Sequence, residues 1–382
     1  MTPVASLKAQ LGALVAARSI SSADPALDCS NRAVVDLLAQ WCAERGFDVE
    51  LQSVGAAGKV NLIAQRGSGD DGLVLAGHTD TVPCDPALWH SDPFMLDERD
   101  GRWYGLGSAD MKCFFPAALA AVDALDGAVL RRPLTILATA DEETSMAGAR
   151  ALVASGRRLG RFGLIGEPTG LKPVHMHKGV AQLGVDLHGR SGHASNPALG
   201  VNALDGMRHV LNALDDWRAA LATRHHSPDF DVPHPTLNFG AIRGGDNANR
   251  ICGHCELLLD LRFVPGQDPA ATVDELVARV DAAVAGSGLG CDVRELMTPI
   301  PPYATSAAGE MVRHAQAITG TRAGSVTFAT EAPFFSELGI ETIVLGPGAI
   351  AQAHQPDEYV EVAALLRMVE YTEAFIRRIC CA

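Results

Sequence analysis

The amino-acid sequence predicts an α/β fold: a mixed, mostly parallel sheet flanked by helices, with an inserted α+β domain. Short apolar segments, VNLIAQ, GLVLAG, PLTILATA and FGLIGE, alternate with helical segments such as FFPAALAAVDAL. Continuous apolar strands separated by helices are typical of a sheet buried on both faces. The pattern of alternating strand and helix segments changes between about Val180 and Met297. At about 150 residues per domain, 382 residues suffice for two or three domains.

The composition excludes several classes of protein. The chain has 31 Lys and Arg against 45 Asp and Glu, a formal net charge of −14, so nucleic acid is not an expected partner. A hydrophobic content of 47% with 20% charged residues fits a globular protein rather than a disordered one. The sequence has neither an apolar run of about 18 residues nor a basic N-terminus followed by an apolar stretch. We therefore expect neither a membrane span nor Sec-type export.

Cysteine usage favours a reducing compartment. Nine cysteines are an odd number in a chain too long to need disulfides for stability, so we expect a cytoplasmic location. Cys252 and Cys255 form a CxxC spacing that could be half a zinc site or a redox pair, but no second pair completes it. We prefer the interpretation that both begin the strand ELLLDLRF.

The first half of the chain supplies a helix and then the strands of the sheet. The segment NRAVVDLLAQWCAERG places Val34, Leu37, Leu38 and Trp41 at helical spacing and is expected to end at Gly46. The apolar strands follow, each bounded by Gly, Pro or charged residues. The C-terminal part returns to helix (GEMVRHAQAITG), strand (ETIVLG) and a final helix (LLRMVEYTEAFIRR).

The inserted domain is predicted to be ferredoxin-like. Its segments are VAQLGVDL, VNALDGMRHVLNALDDWRAAL, TLNFGAIR, ELLLDLRF, ATVDELVARVDAAV and CDVREL, in the order β-α-β-β-α-β. This split βαβ order forms a four-stranded antiparallel sheet with two helices on one face. Its free edges could pair with a second copy. We assign residues 180–297 to this lid or dimerisation domain and residues 1–179 and 298–382 to a catalytic domain.

Polar residues follow the ends of several predicted strands. They are His78, Asp80, Asp141, Glu142, Glu143, Glu167 and His354, together with Asp110 in the loop GLGSADMK. Ligands in open α/β sheets gather beyond the carboxyl ends of the strands. A single acid there is more often a cap or loop residue, but several unpaired carboxylates at one edge would repel each other without a cation. Imidazole and carboxylate donors suit one or two Zn²⁺ or similar ions.

Glu142 and Glu143 require separate roles because neighbouring residues leave an extended chain in opposite directions. One could ligate a metal while the other takes a proton from water. Asp80 could accept the ring N–H of His78 and fix the tautomer that binds metal. It could equally be a simple turn residue.

These residues lie in segments that resemble the co-catalytic metallopeptidase family of aminoacylases, succinyl-diaminopimelate desuccinylases and acetylornithine deacetylases. The segments are GHTDTVP, GSADMK, ATADEETSMAGAR, IGEPT and SGHAS, and the resemblance covers essentially the whole chain. Within the family, the stretches GGDNANRICGHCEL, TEAPFF and LGPGAIAQAHQPDEY resemble the acetylornithine deacetylases most closely. The resemblance implies hydrolysis of N2-acetyl-L-ornithine to L-ornithine and acetate, a step of arginine biosynthesis, by a homodimer.

The resemblance also implies a role for each site residue. Two divalent ions, Zn²⁺ or Co²⁺ being the expected ones, would be bridged by Asp110. The other ligands would be His78 and Glu167 on one ion, and Glu143 and His354 on the other. Glu142 would be the general base and Asp80 would orient His78. His193 in SGHAS would reach the neighbouring subunit's site and stabilise the oxyanion; without the motif it would be a surface histidine.

The N-acetylated amino acid expected as substrate suggests further contacts. Arg250, with Asn249 beside it, could clamp the substrate carboxylate, although a solvated arginine is the alternative. Glu331 could pair with a cationic side chain or be a structural acid. One departure from the family pattern is Cys113, where Gly is usual after the MK of the bridging-Asp loop. Two other functions stay open: a related amidohydrolase (aminoacylase, desuccinylase or dipeptidase), or a metal-binding structural or regulatory protein without turnover.

Overall fold

A computed structural model of the chain describes residues 3–55 and 58–381. The α-helices are α1 (Pro3–Ala16), α2 (Arg32–Glu44), α3 (Phe114–Asp123), α4 (Ala147–Ser155), α5 (Ala203–Arg224), α6 (Pro269–Val284), α7 (Glu310–Thr319), α8 (Ala332–Glu337) and α9 (Val362–Ile376). Short 3₁₀-helices cover Pro86–Leu88 and Pro197–Leu199, and a π-helix, Arg377–Cys381, continues α9.

The strands are short, as the apolar segments predict. They are β1 (Asp48–Val54), β2 (Lys59–Arg66), β3 (Leu73–His78), β4 (Asp97–Arg99), β5 (Arg102–Tyr104), β6 (Leu134–Thr139), β7 (Phe162–Ile165), β8 (Val174–His177), β9 (Gly179–His188), β10 (Thr236–Gly244), β11 (His254–Phe263), β12 (Gly290–Ile300), β13 (Tyr303–Ala304), β14 (Gly324–Val326), β15 (Glu341–Val344) and β16 (Tyr359–Glu361).

The chain divides into two compact units. The first consists of the residues up to His175, Thr305–Gly324 and the residues from Thr330 onward. The second consists of Met176–Ala304 and Ser325–Ala329. Each unit has its own cluster of buried apolar side chains. Among the described residues, no helix combines the length and apolar composition needed to cross a membrane.

The first unit contains a mixed sheet in the order β1-β2-β6-β3-β7-β15-β8. The central strands β6, β3, β7 and β15 are mutually parallel, whereas β1, β2 and β8 pair antiparallel with their neighbours. Every residue of β3 and β6 is buried, because helices cover both faces of the sheet. The predicted α/β fold with a mixed sheet is confirmed.

Helices α2 and α3 show how the sequence determines this packing. Helix α2 buries Val34, Val35, Leu38 and Cys42, and the chain then turns at Gly46, whose φ of +74° favours glycine. The predicted helix and its end are therefore confirmed. Helix α3 is apolar on nearly all sides and is buried almost throughout. A short sheet of β16, β5 and β4 also belongs to this unit.

The second unit has the predicted element order, β9-α5-β10-β11-α6-β12. Its strands form an antiparallel sheet in the order β10-β11-β9-β12. In β11 the alternating residues Leu257, Leu259, Leu261 and Phe263 are buried. Helix α5 begins after Asn202, whose side chain accepts a hydrogen bond from the Leu204 N–H at 3.0 Å.

Two details of this unit refine the sequence interpretation. Within the predicted helical segment VNALDGMRHVLNALDDWRAAL, Leu204 is 43% exposed, because it lies in the first turn of α5 next to the cap. Cys255 lies in β11 and Cys252 just before it, and both are buried free thiols. The Cys252 thiol donates to the backbone oxygen of His254 at 3.0 Å.

Candidate metal centre

The candidate site lies at the carboxyl ends of the parallel strands in the first unit. β3 ends at His78 and β6 at Thr139, and these residues are register partners. β7 ends just before Glu167, and β15 leads into the loop that carries His354. Parallel strands bring their carboxyl ends to one edge of the sheet, so residues distant in sequence meet there.

His78 is buried, with 1% exposure. Its Nδ1 lies 3.1 Å from the backbone oxygen of Asp80; since a carbonyl oxygen only accepts, Nδ1 is the donor. Its Nε2 lies 3.1 Å from Asp110 Oδ1 and 3.9 Å from Glu167 Oε2. Burial alone lowers the pKa of His78, but hydrogen bonds with Asp110 and Asp80 raise it well above its ordinary value. Nε2 therefore faces the acidic cluster.

Asp110 lies between two histidines. Its Oδ1 is 3.1 Å from His78 Nε2, and its Oδ2 is 3.4 Å from His354 Nε2. Burial raises the pKa of Asp110, but the hydrogen bonds with His354 and His78 outweigh this effect and hold it well below its usual range. Each oxygen of this carboxylate therefore faces a different potential ligand.

Glu143 completes the cluster on the side of His354. Both of its carboxylate oxygens lie 3.1 Å from His354 Nε2. Hydrogen bonds with Asp110 and Glu143 raise the pKa of His354 to about 10. One ligand atom from each of His78, Asp110 and Glu143 lies within 4.8 Å of the other two. These three side chains are close enough to share one cation.

The carboxylates of the site are buried beside each other. Burial and the neighbouring Glu167 raise the pKa of Glu142 well above its ordinary value. Burial also raises the pKa of Glu167 well above its ordinary value, and burial with the neighbouring Asp110 raises that of Glu143. Glu167 Oε1 is buried without a hydrogen-bond partner. Such a cluster is stabilised by positive charge.

Asp80 connects His78 to the two glutamates. Its Oδ1 accepts from the Glu142 N–H at 3.2 Å and its Oδ2 from the Glu143 N–H at 3.1 Å. The same Oδ1 lies 3.6 Å from His78 Nδ1. A single buried carboxylate thus contacts the imidazole and the backbone of the turn after β6.

The second unit brings His193, Asn249 and Arg250 together on its surface. His193 and Arg250 form an isolated β-bridge, and the Ala194 N–H donates to the Asn249 backbone oxygen at 2.9 Å. All three side chains are exposed. His193 Nδ1 lies 2.7 Å from Ser195 Oγ, and the Arg250 guanidinium donates to Asp246. A guanidinium has five N–H donors, so this pairing leaves others available.

Comparison with known proteins identifies the family. The model of "Peptidase family M20/M25/M40" matches residues 74–378, which is most of the chain. The chain belongs to peptidase family M20/M25/M40. The resemblance noted from the segments GHTDTVP, GSADMK and IGEPT is thereby confirmed.

Relatives of this M20/M25/M40 family member match it along nearly its whole length. An acetylornithine deacetylase from Yersinia pestis is 48% identical over 358 residues, 92% of this chain and 92% of the relative. One from Proteus mirabilis is 46% identical over 373 residues, 97% and 95% of the two chains. Among solved structures, an M20 family metallo-carboxypeptidase from Sulfolobus solfataricus has a TM-score of 0.78 at 18% identity, covering 99% of both chains. Human carnosine dipeptidase 1 has a TM-score of 0.73 at 16% identity, covering 97% of this chain and 96% of its own. These structures show a shared fold.

The side chains of this M20/M25/M40 family member fit divalent cations. Imidazole and carboxylate donors are those that Zn²⁺, Co²⁺ and Mn²⁺ accept. The two oxygens of Asp110 face different histidines. The unpartnered Oε1 of Glu167 is an acceptor that a cation would satisfy.

Glu331 lies deeper in the first unit. It is fully buried, and its Oε2 accepts from the Thr139 hydroxyl at 2.9 Å while its Oε1 has no hydrogen-bond partner. Burial raises its pKa to about 7. Its charge also acts on Glu142 and Glu167, so it belongs to the surroundings of the acidic cluster.

Cys113 is fully buried, and its thiol points toward the Ala109 backbone oxygen at 3.9 Å. It packs in the core of the first unit. The side chain that replaces the family's usual glycine therefore lies beneath the loop that carries Asp110.

Sequence reasoning missed Glu358, which accepts hydrogen bonds from the backbone N–H groups of Gly107, Ala109 and Asp110 at 2.7–2.9 Å. Burial raises its pKa to about 8, against the lowering effect of these N–H donors. The one available signal was its position four residues after His354, within LGPGAIAQAHQPDEY.

Sequence reasoning also missed Lys59, whose ammonium group anchors the turn that carries the two glutamates. Lys59 is 5% exposed, donates to Asp28 Oδ1 at 2.6 Å and also donates to Asp141. Asp141 has a φ of +57°, and its Oδ1 also accepts from the Ser21 hydroxyl at 2.9 Å. A buried lysine is thus paired with two acids.

The substitution Lys59→Met is expected to lower the free energy of unfolding by about 3 kcal/mol, because it removes a buried cation and leaves two partly buried carboxylates without their shared partner. Equilibrium urea unfolding followed by circular dichroism measures this effect. Lys8→Met is the matched control, since Lys8 and its partner Glu98 are 43% and 46% exposed and such a pair contributes about 1 kcal/mol or less. Equal effects of the two substitutions would contradict the anchoring role.

Proposed function

We propose that this protein is a metal-dependent amide hydrolase that removes the acetyl group from N2-acetyl-L-ornithine, giving L-ornithine and acetate. The observation that carries the proposal is the buried cluster in which Asp110 lies between His78 and His354, with Glu142 buried beside it. Relatives named acetylornithine deacetylase, 46–48% identical over 92–97% of the chain, support the choice of substrate.

The proposed centre holds two divalent cations. His78 and Glu167 would bind one, Glu143 and His354 the other, and Asp110 would bridge them. When bound, such ions lower the pKa of water and polarise the amide carbonyl. Asp80 holds His78 in the tautomer that presents Nε2, since the ring N–H on Nδ1 is directed to Asp80.

Glu142 is the proposed general base. Its carboxylate takes a proton from the attacking water and passes it to the leaving amine nitrogen as the C–N bond breaks. The oxygen of that water becomes part of acetate, and the amine leaves as ornithine. Proton exchange in both directions requires a carboxyl pKa near neutrality, and burial acts on Glu142 in that direction.

His193 is proposed to donate a hydrogen bond to the tetrahedral oxyanion. The family resemblance implies that it comes from a second copy of the chain, so the proposed functional unit is a homodimer formed through the lid domain. The exposure of His193 is consistent with such a role.

Substrate contacts are proposed for three further side chains. Arg250, with Asn249 beside it, would bind the substrate carboxylate through guanidinium N–H groups that Asp246 does not use. Glu331 would neutralise the side-chain ammonium of ornithine; its unpartnered Oε1 supports this assignment, because a buried carboxylate is stabilised by a paired cation.

The proposal also includes the metal ions, the pathway and the cellular location. Zn²⁺ and Co²⁺ are the expected ions, and the reaction would serve arginine biosynthesis in the cytoplasm. The second candidate is another amidohydrolase of this family; the fold shared with human carnosine dipeptidase 1 favours including a dipeptide in every assay.

Removal and return of metal test the proposed function. Activity on N2-acetyl-L-ornithine is expected to disappear after chelation and to return with Zn²⁺ or Co²⁺. Among N2-acetyl-L-ornithine, N-acetyl-L-methionine, N-succinyl-LL-diaminopimelate and a dipeptide, the first is expected to have the highest kcat/KM. Insensitivity to chelation would reject the metal mechanism, and a preference for another substrate would reject the assignment of substrate.

A further inference from the structure

Glu358 is a buried acid next to the metal centre that the proposed mechanism does not use. It is 2% exposed and immediately precedes β16. We propose that Glu358 is a positioning residue: it holds the Asp110 loop (residues 105–112) so that Asp110 stays between His78 and His354. This inference rests on the proposed function and adds a residue outside the ligand set.

The side chain of Glu358 binds three backbone N–H groups of the Asp110 loop. Oε1 accepts from Ala109 at 2.7 Å and from Asp110 at 2.9 Å, and Oε2 accepts from Gly107 at 2.9 Å. A carboxylate has room for about four such bonds. The Asp110 N–H is itself one of the donors, so the bond acts on the residue whose two oxygens face the histidines.

The backbone of Glu358 also binds the Asp110 loop. Its carbonyl oxygen accepts from the Gly105 N–H at 3.0 Å and from the Ser108 hydroxyl at 3.2 Å. β16 pairs with β5, with Tyr359 opposite Tyr104, so the Asp110 loop begins where the strand pair ends. The pairing of β16 with β5 therefore fixes the position of Glu358 relative to the Asp110 loop.

Glu358 also links two proposed ligands. It lies on the same segment as His354, which faces Asp110 Oδ2 at 3.4 Å. Adjacent to Glu358, Asp357 accepts from the His90 backbone N–H at 2.9 Å, which ties this segment to a further loop. Displacement of the segment would move His354 and Asp110 together.

A substitution of Glu358 by Gln tests the positioning role. The amide NH₂ of Gln would face an N–H group that now has an acceptor, so at least one of the three bonds is lost. Titration of metal-free protein with Co²⁺, followed by calorimetry and by the visible absorption of bound Co²⁺, is expected to show affinity about 10- to 100-fold weaker than wild type. The Co²⁺ absorption should change, and kcat should fall with KM little altered.

The matched control is Glu341→Gln. Glu341 Oε1 accepts from the Met311 N–H at 2.9 Å, so this substitution makes the same change from carboxylate to amide at an acid that binds a backbone N–H, but not at the metal centre. The Gln amide oxygen can keep the single bond at position 341 but not all three bonds at position 358, so E341Q should keep wild-type Co²⁺ affinity and absorption. Wild-type Co²⁺ affinity and absorption in folded E358Q would overturn the proposal.

A second variant covers the case in which E358Q does not fold. Glu358→Asp keeps the charge but is one methylene shorter and cannot reach all three N–H groups. We expect at least about 10-fold weaker Co²⁺ binding, and wild-type affinity would overturn the proposal. Wild-type protein that binds no Co²⁺ or lacks hydrolase activity would instead contradict the proposed function, so the two failures are distinguishable.

Discussion

Replacement of Glu142 by Ala is expected to lower kcat for N2-acetyl-L-ornithine by about 10²- to 10⁴-fold while the metal content is unchanged. The expected loss is large because Glu142 is the only side chain to which the mechanism assigns proton transfer, and because it is not assigned to a cation. Steady-state kinetics combined with elemental analysis of the purified variant measures both quantities. The base must be ionised, so wild-type kcat should fall as the pH drops through the pKa of Glu142.

The control for this substitution is Glu337→Ala. Glu337 is an exposed residue at the end of α8, so its removal is expected to leave kcat unchanged. An E142A variant with wild-type kcat would remove Glu142 from the mechanism. Loss of metal in E142A would show that its carboxylate is a ligand instead of a base.

Replacement of Asp110 by Asn is expected to remove bound metal and to lower kcat by more than the roughly 100-fold typical of residues behind the ligands. Asn keeps the shape of the side chain but loses the charge, and only one of its two terminal atoms can ligate a cation. Metal content after dialysis and kcat with added Co²⁺ are the measurements.

Asp123→Asn provides the comparison for this prediction. Asp123 forms an ion pair with Arg45 at 2.7 Å and is 53% exposed, so its loss is expected to change neither metal content nor kcat. Full occupancy of both proposed metal positions in D110N would contradict the proposed bridging role of Asp110.

The parts of the fold that the sequence predicts are those with a clear apolar pattern. β3 and β6 are mostly apolar and are buried at every position, so their sequences alone indicate a central position. β1 was not predicted, because it is an edge strand with mostly exposed residues and lacks an apolar pattern. The short pairing of β5 with β16 joins segments far apart in the chain, and no local pattern indicates it.

In the candidate site, too, residues with a local sequence pattern could be predicted, whereas contacts between distant segments could not. That His78 and Glu167 would meet could be predicted, because each follows a parallel strand and strand ends gather. The contribution of Glu358 could not, because it depends on hydrogen bonds between residues about 250 positions apart. Lys59 was missed for a related reason: its partners Asp28 and Asp141 lie in separate segments, so nothing near Lys59 in the sequence marks it as buried.

The carboxylate of Asp80 contacts the imidazole of His78 and accepts hydrogen bonds from the backbone amides of Glu142 and Glu143. Substitutions among these four residues will therefore behave as changes to a single assembly, and their effects should not sum in double-mutant cycles. Redesign of this enzyme for another amide would do better to retain the quartet intact and to vary the side chains around it.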